Sequence, residues 1–466
     1  MTKILETING FVWGIPALIM IIGVGVFLSI RTGFVQITLF PRAIRMLMKQ
    51  FKSPRGSDGA SAYQALCTAL AATVGTGNLA GVAGAICIGG PGSIFWMWIC
   101  ALLGMVTKYA EATLSVRYHA RNSKGERVGG PMYMIENGLG IKWKWLAYVY
   151  CYLCVFASLG VGNATQINTV IGAVNSVVVA GGGHVSIISN LTIGIFLAIL
   201  LGVMFLGGAK RIGKTAEKLV PFASLTYVVL SLLILAVRWK AIPGVLSSIV
   251  IGAFSPKAVT GGLLGSAFAA LRVGASRGVF TNEAGMGTAS IVHGAADVSH
   301  PAEQGLMGVL EVFLDTIVIC TMTALVILSS GVAVPYGEDM GIALTSQAFA
   351  AVYGNWAYTV IALAVCCFAI ATVLGWGLYG ARCTQYLFGD NFWGKFVVVQ
   401  VITIIAGSIM GTGTVWILAE IVNGLMAIPN LIVLLLLSPE LVRLTREYKR
   451  NPTKRRVSGK VSSPSK

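Results

Sequence analysis

Charge is what this chain has least of. Only 11% of its 466 residues are Asp, Glu, Lys or Arg, whereas soluble domains carry about 25%, which excludes a water-soluble globular fold. Acidic residues are the scarcer sign, with 17 Asp and Glu against 34 Lys and Arg. Histidine is rare too: His119, His184, His293 and His300 all fall, by pattern, in connections or at span ends. That speaks against an ammonium-type channel lined by histidines at mid-membrane, and the chain lacks the HExxH pattern of a zinc hydrolase. Cys151-x-x-Cys154 has no histidine nearby and lies at one end of an apolar segment. All nine cysteines therefore read as small buried hydrophobes. A cleavage site is also missing: the first apolar stretch follows Glu6 and has no small-x-small pattern behind it, so it is expected to remain as a membrane span.

Long apolar runs are what the chain has instead. It is 56% hydrophobic with a mean hydropathy of +0.80. Runs near the ~20 residues needed to cross a bilayer fall at 10–30, 62–88, 92–114, 145–176, 186–207, 217–237, 261–285, 305–331, 355–382, 395–412 and 414–438. Eleven spans put the termini on opposite sides. With the amino terminus outside, the inside segments hold nearly all Lys and Arg, and only Lys3, Arg238, Lys240 and Lys257 fall outside, as the positive-inside rule requires. The formal net charge of +17 is then topological, and nucleic acid is not an expected partner. Residues 34–51 suit an amphipathic helix on the inner surface, and 341–353 a short outer helix. The basic tail 439–466 reads as cytosolic, in reach of anionic lipid.

The chain is organised around 66–86, LCTALAATVGTGNLAGVAGAI. Its middle, Val74-Gly75-Thr76-Gly77-Asn78, is poor helix material, since each interior glycine costs about 1 kcal/mol against alanine. Irregular backbone at membrane mid-depth survives only where it lines a cavity or meets protein. Glycines also let membrane helices pack closely, but that leaves the polar Thr73, Thr76 and Asn78 unexplained. A broken helix is expected. The Gly75–Ala80 GxGxxA pattern lacks a preceding strand and a following acidic residue, so it is no dinucleotide site. Span seven repeats Val-Gly-small-small at Val273-Gly274-Ala275-Ser276, which predicts a second break there. Paired glycine-interrupted spans in inverted halves point to an alternating-access transporter.

These features, with Gly129-Gly130-Pro131-Met132-Tyr133, Arg277-Gly278-Val279-Phe280-Thr281-Asn282-Glu283-Ala284-Gly285-Met286-Gly287 and Gly375-Trp376-Gly377, resemble the alanine or glycine:cation symporter family. That family lies in the amino acid–polyamine–organocation group, and the resemblance covers nearly the whole chain. It implies an all-α integral membrane protein with a leucine-transporter-like fold. About eleven helices would form a five-plus-five inverted repeat after one extra helix, with a broken helix at the first position of each repeat. The expected division is 1–60 (extra span and amphipathic helix), 61–240 and 241–438 (the repeats) and 439–466 (tail). The resemblance implies a prokaryotic inner membrane and sodium-coupled uptake of alanine or glycine, with sodium as coupling ion, no other cofactor and a monomer as the working unit. Glutamine, another neutral amino acid, or proton coupling are the alternatives within transport. A membrane enzyme would need a nucleophile and base that the sequence does not assemble.

By the same resemblance, the N–H groups of Thr76, Gly77 and Asn78 would hold the substrate carboxylate, helped by the half-helix that follows. The ammonium would meet carbonyls near Ala72 and Thr73, the expected break at Gly274–Ser276, and Gln166 in span four. Phe280 and Trp376 would shape the pocket. Sodium would take the carbonyls of Ala71, Val74 and Ala369 and the hydroxyl of Thr372; Val373 stands where a second hydroxyl is usual. Ionisable residues in spans are functional suspects, here Arg272, Arg277, Glu283, Glu311, Asp315 and Glu420. Glu311 and Asp315, four apart, share a helix face that Arg277 could pair with, as an internal gate or as a static bundle-holding pair, and Glu420 stands alone in the last span as a proton-linked or partner-seeking carboxyl.

Overall fold

The computed structural model describes residues 2–50, 60–123, 125–255 and 267–451. The beginning of the expected seventh span (261–266) and the tail from 452 onward lie outside the described residues. Almost everything described is helical, apart from a two-stranded antiparallel ribbon pairing Ala120–Arg121 with Arg127–Val128. Helix is the form an apolar chain must take where no water can satisfy its backbone. Eight described helices are long and apolar enough to cross a membrane, or nine counting one bent pair. Two of the expected spans fall short of that measure. Phe392–Gly407 is apolar but only 16 residues long, and Ala267–Asn282 carries Arg272 and Arg277.

The first break is where the glycines put it. Helix Ala62–Thr73 opens on Ser61, whose side chain accepts from the Gln64 N–H, and it ends at Val74. One 3-10 turn, Thr76–Asn78, leads to a second half-helix, Ala80–Gly89. The two halves diverge by 57°. The second break lies further along than the sequence suggests. Helix Ala267–Asn282 runs unbroken through Gly274 and Ser276, and the chain leaves helical geometry at 283–287 before Thr288–His293. Gly285 and Gly287 supply φ values of +93° and +79° there, which side chains with a Cβ rarely adopt.

Two long helices also contain π-helical turns, at Ser158–Ala164 and Phe313–Cys320. Such turns frequently mark functional sites, and the second adjoins the first break.

Packing sorts the segments into two groups. In one, helix Gly92–Arg117 packs on Ala267–Asn282 and on Pro301–Val312, and Ala267–Asn282 packs on Ala80–Gly89. In the other, Trp356–Phe388 packs on Lys144–Ala157, Thr165–Ala180 and Phe392–Gly407, and the last of these on Ile187–Leu206. Ala62–Thr73 meets Trp356–Phe388 across the boundary, so the first break sits where the two groups face each other.

The amphipathic segment forms helices Val35–Thr38 and Phe40–Gln50. It buries Leu39 and Ala43 and leaves Ile44 and Met48 exposed. The short helix Ile342–Tyr353 lies over the second half-helix, where the Thr345 hydroxyl donates to Leu79 O at 3.0 Å.

Candidate functional site

Helical hydrogen bonds are redirected at the first break. In an unbroken helix the N–H of residue i+4 would bond each of Ala71, Ala72, Thr73 and Val74. Here the Gly75 N–H donates instead to Asn78 Oδ1 at 2.8 Å, and the Thr76 N–H points to Gln166 Oε1 at 3.4 Å. The Asn78 N–H bonds Gly75 O at 3.3 Å. The Gly77 N–H lies in the middle of this irregular turn. Buried backbone groups are rarely left unpaired, so the break presents the carbonyl oxygens of Ala71 and Val74 to other partners.

Thr372 faces this backbone. A Cβ placed on Gly75 would lie 2.3 Å from Thr372 Oγ1, so only glycine permits the approach. The hydroxyl is 2% exposed and makes no hydrogen bond, not even to its own helix. A buried hydroxyl left unpaired costs about 1–3 kcal/mol unless it has a ligand. Gly375, three residues on, lies so close to Ala72 that a Cβ there would be 2.7 Å from the Ala72 Cβ. The oxygen set expected for sodium, Ala71, Val74, Ala369 and Thr372, therefore lies on two backbones in direct contact. Neutral oxygens of this kind suit a hard cation.

The polar residues of the break are anchored. Gln166 Oε1 accepts from the Thr76 hydroxyl at 2.8 Å, while its amide donates to Val161 O in the π-helical turn at 3.1 Å. Asn78 joins the break to the other π-helical turn, donating to Asp315 Oδ1 at 2.7 Å and to Asp315 O at 3.2 Å. Thr73, the last residue of its half-helix, donates back to Ala69 O at 3.2 Å. Gly77 faces Phe280 and Thr281, whose nearest atoms would be 3.4 and 3.3 Å from an added Cβ. Phe280 in turn lies 5.0 Å, centroid to centroid, from Trp416.

Three expected site residues sit apart from this cluster. Gly274 packs against helix Gly92–Arg117, where a Cβ would be 2.3 Å from Ser93 O. Ser276 is buried in the continuous helix Ala267–Asn282. The Val-Gly pattern there marks close helix packing, and the break itself falls at 283–287. Trp376, 1% exposed, is wedged against Gly162 and stacks edge-on with Tyr379 at 5.7 Å.

The second break holds its own carboxylate. Glu111 Oε1 accepts from the N–H groups of Gly285 (2.9 Å) and Gly287 (3.0 Å) and from Asn430 Nδ2 (2.7 Å). The N–H groups of the second break are thus plugged from within the chain. Beside it lies a buried ion network. Lys108 Nζ is 3.2 Å from Glu311 Oε1, and His293 Nε2 is 2.8 Å from Glu311 Oε2, all fully buried. Gln304 Nε2 lies 2.6 Å from His293 Nδ1, and Glu283 Oε2 accepts from the Thr288 hydroxyl at 2.6 Å.

This corrects the expected pairings. Arg277 pairs with Asp339 (3.1 Å) and Glu420 (3.2 Å) and covers the Trp416 ring at 4.8 Å. Glu311 and Asp315 are out of its circle because a buried lysine and Asn78 claim them. Glu420, expected alone in the last span, also accepts from Asn9 Nδ2 at 2.7 Å. His293 is a core residue, not a connection. Lys108 and Glu111, at the inner end of the 92–114 run, are not among the ionisable suspects named from the sequence. Their position three apart in an apolar window was the available signal.

A sequence model described as "Sodium:alanine symporter family" matches residues 1–461. The "Sodium/alanine symporter AgcS" of Methanococcus maripaludis is 41% identical over 96% of this chain and 97% of its own length. The "Probable sodium/glutamine symporter GlnT" of Bacillus subtilis is 35% identical over 97% of this chain and 91% of that one. Among solved structures, MhsT in complex with L-phenylalanine superposes with a TM-score of 0.55 at 11% identity, covering 84% of this chain and 99% of MhsT. That likeness shows the fold alone.

Proposed function

The chain belongs to the sodium:alanine symporter family, and we propose that it couples inward movement of sodium to uptake of a small neutral amino acid, alanine or glycine. The observation that carries this reading is the unpaired Thr372 hydroxyl set against the donor-deprived carbonyls of the first break. Sodium would bind between Ala71 and Val74 on one side and Ala369 and Thr372 on the other. An ion there ties the two helix groups together across their boundary.

The substrate carboxylate would take the Gly77 N–H, with Phe280 and Thr281 closing over it, and would add its charge to the positive end of half-helix Ala80–Gly89. The ammonium would meet carbonyls at Ala72 and Thr73. Gln166 acts through Thr76, whose hydroxyl it fixes. Arg277, held by Asp339 and Glu420, closes the route on the side of helix Ile342–Tyr353. We read that side as the outside, with the amino terminus outside and the tail in the cytosol of a prokaryotic cell. The five-plus-five repeat at 61–240 and 241–438 and a monomeric working unit belong to the same proposal.

A glutamine carrier is the second reading, favoured by the similarity to GlnT. Uptake of labelled alanine, glycine and glutamine into proteoliposomes under an inward sodium gradient separates the two. Saturable alanine uptake that glutamine fails to inhibit supports the first, and glutamine uptake with no alanine uptake supports the second.

A further inference from the structure

We propose that a basic groove beneath the first long helix binds the phosphate of an anionic phospholipid headgroup. The groove lies between the end of helix Ile15–Thr32 and the helix that follows the last span, Ser438–Arg450. That second helix buries Leu441, Leu444, Thr445 and Tyr448 against the protein. Arg443, Arg446 and Arg450 recur at helical spacing on another face, which lines a cavity of about 620 Å³ together with Ile30, Arg31 and Glu447.

The charges in this cavity do not balance. Arg443 is engaged, bonding Glu440 at 2.5 Å and Glu447 at 2.7 Å. Hydrogen bonding from Arg443, with Arg117, pulls the Glu440 carboxyl down to about 2, so that pair persists at any physiological pH. Among the described residues, Arg31, Arg446 and Arg450 have no carboxylate partner. Guanidinium groups match phosphate in planar, two-pronged geometry, and three of them converge on one groove.

The surroundings specify a lipid over a free anion. Exposed Ile30 lines the groove, and exposed Phe27, one turn back on the same membrane helix, lies under the Arg31 guanidinium at 5.5 Å. They offer acyl chains a path directly below the headgroup. The groove is also held in shape. Lys449 Nζ donates to Thr32 O at 2.9 Å, and the Tyr109 hydroxyl lies 3.0 Å from Thr445 Oγ1. The inference needs the chain to cross a membrane and is independent of what it transports.

Thermal unfolding of the full chain in neutral detergent tests this, titrating dioctanoyl phosphatidylglycerol, dioctanoyl phosphatidylcholine or inorganic phosphate. Phosphatidylglycerol is expected to raise the midpoint saturably, and the other two are not. A basic residue near an anionic membrane surface is worth about 1 kcal/mol, so each of R31Q, R446Q and R450Q should weaken the response about fivefold, and the triple variant by far more. The single variants carry the test if the triple variant fails to fold. K214Q/K218Q, in a separate basic groove, should respond like the parent. Equal stabilisation by phosphatidylcholine, an equal effect of phosphate alone, an unchanged response in the arginine variants, or an equal loss in K214Q/K218Q would each overturn the proposal.

Discussion

Replacing Gly75 by alanine should damage sodium binding through one atom. The new methyl carbon would stand 2.3 Å from Thr372 Oγ1 and 3.3 Å from its Cβ, far inside van der Waals contact. The backbone at Gly75, φ −138° and ψ −155°, is extended and open to any residue, so the effect is steric alone. Thr372 must rotate or its helix must retreat, and overpacking of this kind costs about 1–3 kcal/mol of stability. The larger loss is functional, because the hydroxyl leaves the place where it faces the break. A polar contact to a charged group is worth about 1.5–3 kcal/mol, so the half-saturating sodium concentration should rise about tenfold or more. Thr372→Ala should shift the sodium curve similarly with less loss of stability. The double variant should be no worse than either single, since both remove the same oxygen. The assay is sodium-dependent uptake into proteoliposomes with protein amounts matched. An unchanged sodium curve in Gly75→Ala, or shifts that multiply in the double variant, would refute the reasoning.

Gly77→Val should abolish saturable uptake, because its methyl groups would press into Phe280 and Thr281 and cover the backbone of the break; normal uptake by an inserted variant would remove Gly77 from the site. Glu111→Ala strands three buried donors, at about 1–3 kcal/mol each, so it should lower the unfolding temperature far more than Asn430→Ala; equal effects would deny Glu111 its place as the plug of the second break. Lys108→Met leaves Glu311 with its histidine but no lysine and should destabilise by about 3–5 kcal/mol, with much of that recovered by adding Glu311→Leu; thermal unfolding reads both, and strict additivity would contradict the pairing.

The first break was legible because its signals are local. Glycines bracketing Thr76 inside an apolar run have few other uses, and the polar Asn78 beside them turns out to supply the hydrogen bond that stabilises the break. The second break was misplaced for an instructive reason. Val273-Gly274 looks like Val74-Gly75, yet Gly274 lacks a side chain so that helix Gly92–Arg117 can pass. A glycine needed for close approach and one needed for positive φ look identical in one sequence. Ion partners were illegible for a different reason: Arg277, Glu311, Asp315 and Glu420 were all suspect as charges in spans, but which one meets which depends on tertiary packing. Spacing along one helix offered Glu311 and Asp315 to the same partner, and the fold divides them between Lys108 and Asn78. The π-helical turns leave no sequence signature at all, although Asp315 in one of them bonds Asn78 at the break.

The central claim is that the oxygens around Thr372 hold the coupling ion. Its most direct test is the uptake of labelled alanine against sodium concentration, in the parent chain and in Thr372→Ala, with potassium replacing sodium and with a proton gradient alone as controls. The account predicts accumulation above equilibrium only with an inward sodium gradient, and a half-saturating sodium concentration about tenfold higher in Thr372→Ala. Accumulation driven by protons alone, or an identical sodium curve in the variant, would contradict it.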